Sequence, residues 1–281
     1  MIGILIAMAA ALVWGVGGVA GGLGARVVGP ERLIAWALLL GMVLAVPLCI
    51  LTWPPGPIDL ATIGWIAVVT TCMLVGLVFV YLGMRHGSIS VVAPISALYG
   101  GVAAVIAIAL GEPVSLLIVV SLALAVVGGV MAASGETAEP GAKYSNQRLA
   151  AGFAAITAVL WGVQLWAGAK IEADLGPSWL VFLSRSLALL VLVVMLVPRR
   201  RFMIPRSVMP YALVAGCGEV SGFTLYLIAS DYGVAEASVI TGQYGTVAAL
   251  IGLIVLKERL RGIQYAGLVI IVVAVIGLSL G

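Results

Sequence analysis

Charged residues are scarce in this sequence. Asp, Glu, Lys and Arg make up 9% of its 281 residues, against roughly 25% in an ordinary soluble domain. Hydrophobic residues make up 63%, and a water-soluble fold cannot bury that much apolar surface. The scarcity of charge therefore argues against a soluble globular protein and indicates a protein that lies in a membrane.

Cysteine and histidine are rare as well. The three cysteines, Cys49, Cys72 and Cys217, all lie in apolar stretches, where cysteine behaves as a small hydrophobe. They support neither a disulfide framework nor a zinc site. Within the apolar stretches we find no pair of histidines and no catalytic serine with a base. We therefore expect neither an enzyme nor a bound cofactor or metal.

Two further features are missing. The formal net charge is only +3, and the basic residues are scattered, so we do not expect nucleic acid as a partner. The sequence also lacks the phosphate loop Gly-x-x-x-x-Gly-Lys-Ser/Thr that many nucleotide-driven proteins carry. We therefore expect an energy source other than a bound nucleotide.

Long apolar runs fill most of the chain. One bilayer crossing by a helix needs about 20 mostly apolar residues, and these runs are continuously apolar, whereas the strands of a membrane barrel alternate. Short breaks separate the runs at 26–32, 54–59, 85–88, 111–113, 134–148, 170–177, 198–206, 230–232 and 257–261. The sequence therefore predicts an all-α polytopic membrane protein with ten transmembrane helices.

The sequence contains an internal repeat. Several short motifs recur in the same order: Trp14-Gly15 as Trp161-Gly162, Gly29-Pro30 as Gly176-Pro177, and 99–106 as 244–251. Chance similarity between spans rich in Ala, Val and Gly is the competing explanation, but ordered matches across three helix pairs argue against it. We predict a first five-helix repeat at 1–135, a cytoplasmic linker at 136–148 and a second five-helix repeat at 149–281.

The charges in the loops predict the orientation. Five helices are an odd number, so the second repeat must enter the membrane facing the opposite way, and Lys and Arg should gather in the cytoplasm. The odd-numbered loops carry Arg26, Arg32, Arg85, Lys143, Arg148, Arg199, Arg200, Arg201, Arg206, Lys257, Arg259 and Arg261. Lys170 is the one basic residue in an even-numbered loop. We predict inverted repeats in the cell inner membrane, with both termini extracytoplasmic.

Three features together resemble a known family. They are the two Trp-Gly pairs, the pairs Gly111-Glu112 and Lys257-Glu258 that follow helices 4 and 9, and the duplicated ten-helix plan. This combination resembles the EamA family of the drug/metabolite transporter superfamily over nearly the whole chain. The resemblance implies secondary transport of small metabolites, often export of amino acids or drug-like compounds, through a central cavity between the halves.

Inverted repeats lead to a similar hypothesis without the family. They recur in secondary transporters, which place the substrate near the bilayer midplane and alternate access by rocking the halves. A membrane sensor or channel on the same scaffold, without a transport cycle, is the alternative. Channels tend to show symmetric rings of polar groups, which this sequence does not suggest. The expected partners are a small-molecule substrate and the lipid bilayer, and the protein could function as a monomer.

Two tryptophans lie near the middle of their helices, away from the headgroup level where membrane tryptophans usually sit. Trp14 and Trp161 could fill space against a neighbouring helix, or they could form a cavity wall that contacts substrate. Gln164 shares the helix face of Trp161, while the matching position in the first repeat is Gly17. Gln164 is therefore a candidate for a substrate contact or for an interhelical hydrogen bond.

Arg185 and Glu219 are predicted near the centres of helices 7 and 8, where an ionised side chain is costly and marks a functional site by default. Their counterparts in the first repeat are Leu38 and Leu74. The first repeat lacks both charges, as expected if the two residues form an ion pair whose members are present or absent together. We predict that the two side chains are within reach of each other, either as a structural pair or in substrate binding or proton coupling.

Further candidates are related by the repeat. Tyrosines recur on helices 3, 4, 8 and 9, and two polar residues accompany the last of them: Tyr81, Tyr99, Tyr226, Tyr244, Thr241 and Gln243. Such tyrosines can be packing residues or interface anchors. We predict that these residues bind substrate together with Trp14, Trp161 and Gln164.

Overall fold

The structure is a computed structural model, and it describes residues 2–52, 56, 58–109, 116–133, 146–258 and 260–280. These residues form twelve α-helices and one 3-10 turn, and no strand occurs among them. The helices are α1 (Ile2–Val28), α2 (Pro30–Leu51), α3 (Leu60–His86), α4 (Ile89–Ser96), α5 (Tyr99–Ala109), α6 (Leu116–Ala133), α7 (Gln147–Leu175), α8 (Pro177–Leu196), α9 (Met209–Ser230), α10 (Val234–Thr241), α11 (Tyr244–Ile254) and α12 (Gly262–Leu280).

Some of the predicted connections lie outside the described residues. They include the Gly111-Glu112 pair, most of the predicted linker at 136–148 with Lys143, and Arg259. The start of α3 agrees with a local signal in the sequence. The Asp59 side chain accepts a hydrogen bond from the Thr62 amide at 2.7 Å and begins α3, as an N-cap residue does.

The connection between α1 and α2 has the same design as that between α7 and α8. Gly29 and Gly176 have positive φ angles of 93° and 73°, which glycine adopts without a steric penalty. Pro30 and Pro177 follow them as the first residues of α2 and α8, where proline is favoured. The repeated Gly-Pro pair therefore produces the same tight connection in both halves.

The predicted fourth and ninth spans each differ from the prediction of one continuous helix. Each is divided into a helix of 8 residues and one of 11 residues, α4 with α5 and α10 with α11. At both divisions a backbone amide bonds three residues back instead of four: Leu98 to Ile95 and Gln243 to Ile240. This tighter turn interrupts the helix although no charged residue lies there. Divided helices are common at the binding sites of membrane transporters.

The order of the helices repeats along the chain. Three long helices, an 8-residue helix, an 11-residue helix and a final helix make up α1 to α6, and the same series makes up α7 to α12. Six of the described helical segments are long and apolar enough to cross a bilayer: α1, α2, α3, α7, α8, and α9 with its preceding 3-10 turn.

Helices from the two halves pack mainly on each other. α1 packs along α9, α3 packs along α7, and α6 packs along α12. Glycines allow these close contacts: Gly222 of α9 lies against the Trp14 ring, and Gly76 of α3 lies against the Trp161 ring. The outward faces are rich in exposed apolar side chains, such as Leu51 and Leu60, both 83% exposed. The interior contacts therefore join the halves, and the exterior suits a hydrocarbon environment.

Candidate functional site

A cavity lies at the centre of the bundle, among α1, α3, α5, α7, α9 and α11. Its empty space is about 600 Å³ when counted out to its open side. Most of the predicted site residues line it: Trp14, Tyr81, Tyr99, Trp161, Gln164, Glu219 and Tyr244. Since α1 to α5 belong to the first half and α7 to α11 to the second, both halves contribute to its wall.

Aromatic rings form a continuous cluster at this wall. The rings of Tyr99 and Tyr244 are stacked with centroids 5.8 Å apart. Trp161 contacts both, at 6.2 Å and 6.0 Å, and Trp14 meets Tyr99 edge-on at 6.4 Å. Such distances are typical of favourable aromatic pairs. The tryptophans of the two halves are thus joined through the tyrosines of α5 and α11.

Polar groups on these rings differ in their partners. The Tyr244 hydroxyl is hydrogen-bonded to the hydroxyl of Ser96. Trp14 Nε1 and Tyr99 Oη are buried and make no hydrogen bond with the described residues, and the Thr241 hydroxyl beside Tyr99 donates to its own helix. A buried polar group without a partner is costly. Both atoms are enclosed by the protein, and Trp14 Nε1 lies beside Gly222 of α9.

Arg185 and Glu219 form the ion pair that the sequence predicted. Arg185 Nη2 lies 2.6 Å from Glu219 Oε1. The arginine side chain is fully buried, while that of the glutamate is 17% exposed. Arg185 also donates from Nη1 to Ser184 Oγ at 2.9 Å, and its guanidinium lies over the Phe223 ring at 4.3 Å. The cation is thus enclosed by α8 and α9, and the carboxylate faces the cavity.

Glu219 is the single charged side chain among the cavity-lining residues that the structure describes. Arg185 lies behind it and balances its charge, so the site as a whole is close to neutral. A carboxylate in this position can accept hydrogen bonds from a substrate or take up a proton. The arginine remains charged in proteins.

Several predicted residues do not lie on the cavity wall. The Tyr226 hydroxyl bonds to the carbonyl of Leu165 and to Ser238, both at 3.2 Å, behind the Trp14 ring. Thr241 is fully buried. Gln243 lies at the division between α10 and α11 and accepts a hydrogen bond from Thr246 at 3.0 Å. These side chains support the wall from behind.

The sequence analysis did not select the other residues that line the cavity. They are small or apolar side chains from four helices: Gly17, Gly18, Leu77, Val80, Met84, Leu165 and Ala215. Such residues carry no chemical signal that separates them from packing residues. Among the described residues, no group of His, Cys, Asp and Glu is arranged to hold a metal ion.

Comparisons with known proteins identify the fold and the family. A solved structure titled only as the crystal structure of a protein has 17% sequence identity and a TM-score of 0.71, and the match covers 99% of this chain and 98% of that chain. At this identity the likeness establishes the fold alone. No curated protein matches. A sequence profile of the EamA-like transporter family matches residues 1–134 and 148–280. The family predicted from the sequence is thus confirmed, and this multi-pass membrane protein belongs to the EamA-like transporter family.

Proposed function

We propose that the protein is a secondary transporter that moves a small metabolite, such as an amino acid or a drug-like compound, through the central cavity by alternating access. Export is the direction that the family resemblance favours. One observation carries the proposal: side chains from both halves line a single cavity that contains one carboxylate. A rocking motion of one half against the other would change the side from which such a site is reached.

The proposed architecture has ten spans in two inverted five-helix repeats. Each divided pair, α4 with α5 and α10 with α11, counts as one span. The repeated order of helices and the packing of α1 on α9 and of α3 on α7 support this arrangement. Because the basic residues concentrate in the odd-numbered loops, we place both termini outside the cytoplasm and the protein in the inner membrane.

The proposed binding site consists of the aromatic wall with Gln164 and Glu219. Trp14 Nε1 and Tyr99 Oη supply polar groups that make no hydrogen bond with the described residues. Gln164 is buried on the face of α7 that lines the cavity. A substrate with an apolar body and a few polar groups would match this lining.

Glu219 is the proposed coupling residue. Its carboxylate faces the cavity, whereas its partner Arg185 is fully buried and stays charged. A proton or a donor group of the substrate would compete with Arg185 for the carboxylate. Exchange between these partners would link substrate binding to the arrangement of α8 and α9.

A thermal-shift screen of purified protein with amino acids, nucleobases and quaternary amines tests this site, because a ligand stabilises the state it binds. The best ligand should raise the melting temperature of wild type and of Trp65→Ala, in which a tryptophan outside the cavity is removed. Trp161→Ala should fold in the same amount and show a smaller shift. Equal shifts in both variants, together with equal uptake into proteoliposomes, would overturn the proposed site.

Labelling with an impermeant thiol reagent tests the orientation. A cysteine added after residue 281 should react in intact cells, because an even number of spans places it on the same side as the N-terminus. A second cysteine at Arg206, in the basic loop before α9, should react only in inverted vesicles. Protection of the C-terminal cysteine in intact cells would exclude the proposed topology.

A further inference from the structure

A cluster of polar residues lies just beyond one end of the cavity. Along α1, Gly17 and Gly18 line the cavity. One turn further, Gly21 and Gly22 lie directly against the side chains of Tyr81 and Met84. These contacts between α1 and α3 form the floor of the cavity at this end.

Arg26 makes hydrogen bonds just beyond this floor. It follows the two glycines on α1 by one turn, and its Nε donates to the carbonyl of Met84 at 2.6 Å. Its Nη2 donates to the carbonyl of Gly87 at 3.1 Å. These carbonyls belong to the last turn of α3 and to its C-cap residue, where a cation is favourable. Arg26 therefore ties the end of α1 to the end of α3.

Glu258, in the other half of the protein, contacts Arg26 and the start of α4. Its Oε2 accepts hydrogen bonds from the amide of Ser90 at 2.9 Å and from the Ser90 hydroxyl at 2.6 Å. Its Oε1 accepts from the amide of Ile89 at 3.1 Å and lies 3.7 Å from Arg26 Nη2. The carboxylate thus caps the first turn of α4, where an anion is favourable.

The two charges belong to the two segments that the family profile matches separately. Arg26 and the residues of α3 and α4 lie in 1–134, whereas Glu258 lies in 148–280. The Glu258 side chain is only 3% exposed. A rocking motion between the halves would move Glu258 relative to Ser90. These bonds would then break, and water would replace them.

We propose that Arg26 and Glu258 are the gate residues that close the transport cavity at this end. In one state of the cycle Arg26 and the first turn of α4 hold Glu258 of the second half, and in the other state Glu258 separates from them. This inference rests on the proposed alternating access. It adds two residues to the transport mechanism that do not line the binding site.

A cysteine at Gly18 reports whether this end is open. Gly18 lines the cavity, and an added side chain there meets nothing within 4 Å. Cys49, Cys72 and Cys217 are first replaced by alanine. Gly18→Cys is then labelled with impermeant thiol reagents of either charge, from the side on which Arg26 lies and from the opposite side. The rate from each side reflects how often the cavity opens there.

Arg26→Gln and Glu258→Gln should each raise the labelling rate from the Arg26 side by about tenfold, equivalent to about 1.4 kcal/mol in the opening equilibrium. Ser90→Ala removes one hydrogen bond to the carboxylate and should raise the rate by about threefold. The matched control is Arg85→Gln, which removes an exposed cation from the same end of α3 and should leave the rate unchanged. Equal rates in all four variants would overturn the gate.

A Gly18→Cys parent that reacts from neither side would overturn the aqueous cavity itself, and with it the proposed function.

Discussion

The two halves of the protein share their packing but not their charges. Trp14 lies against Gly222, and Trp161 lies against Gly76 in the corresponding place. At the positions of Arg185 and Glu219, however, the first half has Leu38 and Leu74. The comparison indicates that the scaffold was kept in both copies while one copy alone carries the ionisable group of the cavity. The asymmetry therefore resides in the site and leaves the helix contacts unchanged.

A smaller difference concerns the tyrosines of the divided helices. Tyr244 is hydrogen-bonded to Ser96, the residue before the division of the first half. The corresponding Tyr99 hydroxyl makes no hydrogen bond with the described residues, and the nearby Thr241 hydroxyl donates to the carbonyls of Ala237 and Ser238. Equivalent rings thus have different polar environments: the Tyr244 hydroxyl is hydrogen-bonded, and the Tyr99 hydroxyl is buried without a partner among the described residues.

The largest expected effect comes from breaking the ion pair on one side. Glu219→Leu leaves the fully buried Arg185 unpaired, which should lower the free energy of unfolding by about 3 to 5 kcal/mol. Arg185→Leu should cost less, since Glu219 is 17% exposed and can be partly hydrated. Unfolding in mixed detergent micelles measures both. Greater stability of Glu219→Leu than of Arg185→Leu would contradict the observed burial.

The glycines beside the tryptophans test the shared packing. Gly76→Ala and Gly222→Ala should each push a tryptophan ring aside and destabilise the protein by about 1 to 3 kcal/mol, to a similar extent in both halves. Gly64→Ala is the matched control on α3, because nothing lies within 4 Å of its added side chain. If both variants were as stable as the control, the close contact between halves would be wrong.

Removal of the hydroxyl oxygen should change the stability of the protein differently at the two tyrosines. Tyr244→Phe removes the hydrogen bond to Ser96 and should cost about 1 kcal/mol. Tyr99→Phe removes a buried hydroxyl that has no hydrogen-bond partner among the described residues, so stability should stay equal or rise while transport falls. Equal stability losses in the two variants would show that the hydroxyls are equivalent.

The smallest effect is expected outside the membrane, at the start of α3. Hydrogen bonds from the side chain and amide of Thr62 hold the pKa of Asp59 below its ordinary value. A carboxyl group whose pKa is lower in the folded than in the unfolded protein stabilises the fold at pH values above its unfolded pKa. This stabilisation is lost as the pH falls through the folded pKa. The stability difference between wild type and Asp59→Ala should therefore shrink below about pH 4. The stability difference between Asp59→Asn and Asp59→Ala should not depend on pH. If the stability difference between wild type and Asp59→Ala were also independent of pH, the charged cap would be refuted.

Much of the fold could be predicted because apolar runs and their breaks are long signals. The Arg185–Glu219 contact could also be predicted, since an isolated charge at mid-membrane is costly and both were missing from the first half. The divisions at Leu98 and Gln243 could not. They consist of backbone amides that bond three residues back, at Leu98 in the first half and at Gln243 and Gly245 in the second, and no charged residue marks either place.

The candidate site was harder to predict than the fold. The repeat relates Tyr226 to Tyr81, yet Tyr81 lines the cavity and Tyr226 lies behind Trp14. Repeat-related positions face the cavity equally only when the two halves surround it symmetrically. The role of Glu258 was hidden for another reason: its partners at Ile89 and Ser90 are distant in sequence and contribute mainly backbone amides, which leave no mark in the residue types.

The central claim is that the scaffold is shared and the ionisable site is not, and the double variant Arg185→Leu/Glu219→Leu tests it most directly. It restores the first-half residues at both positions, so it should regain the stability that Glu219→Leu loses. Transport is then measured in proteoliposomes with the ligand that stabilises wild type most. The account predicts a folded protein of near wild-type stability that no longer transports this ligand. Transport at the wild-type rate, with unchanged pH dependence, would contradict it and leave the ion pair with a structural role alone.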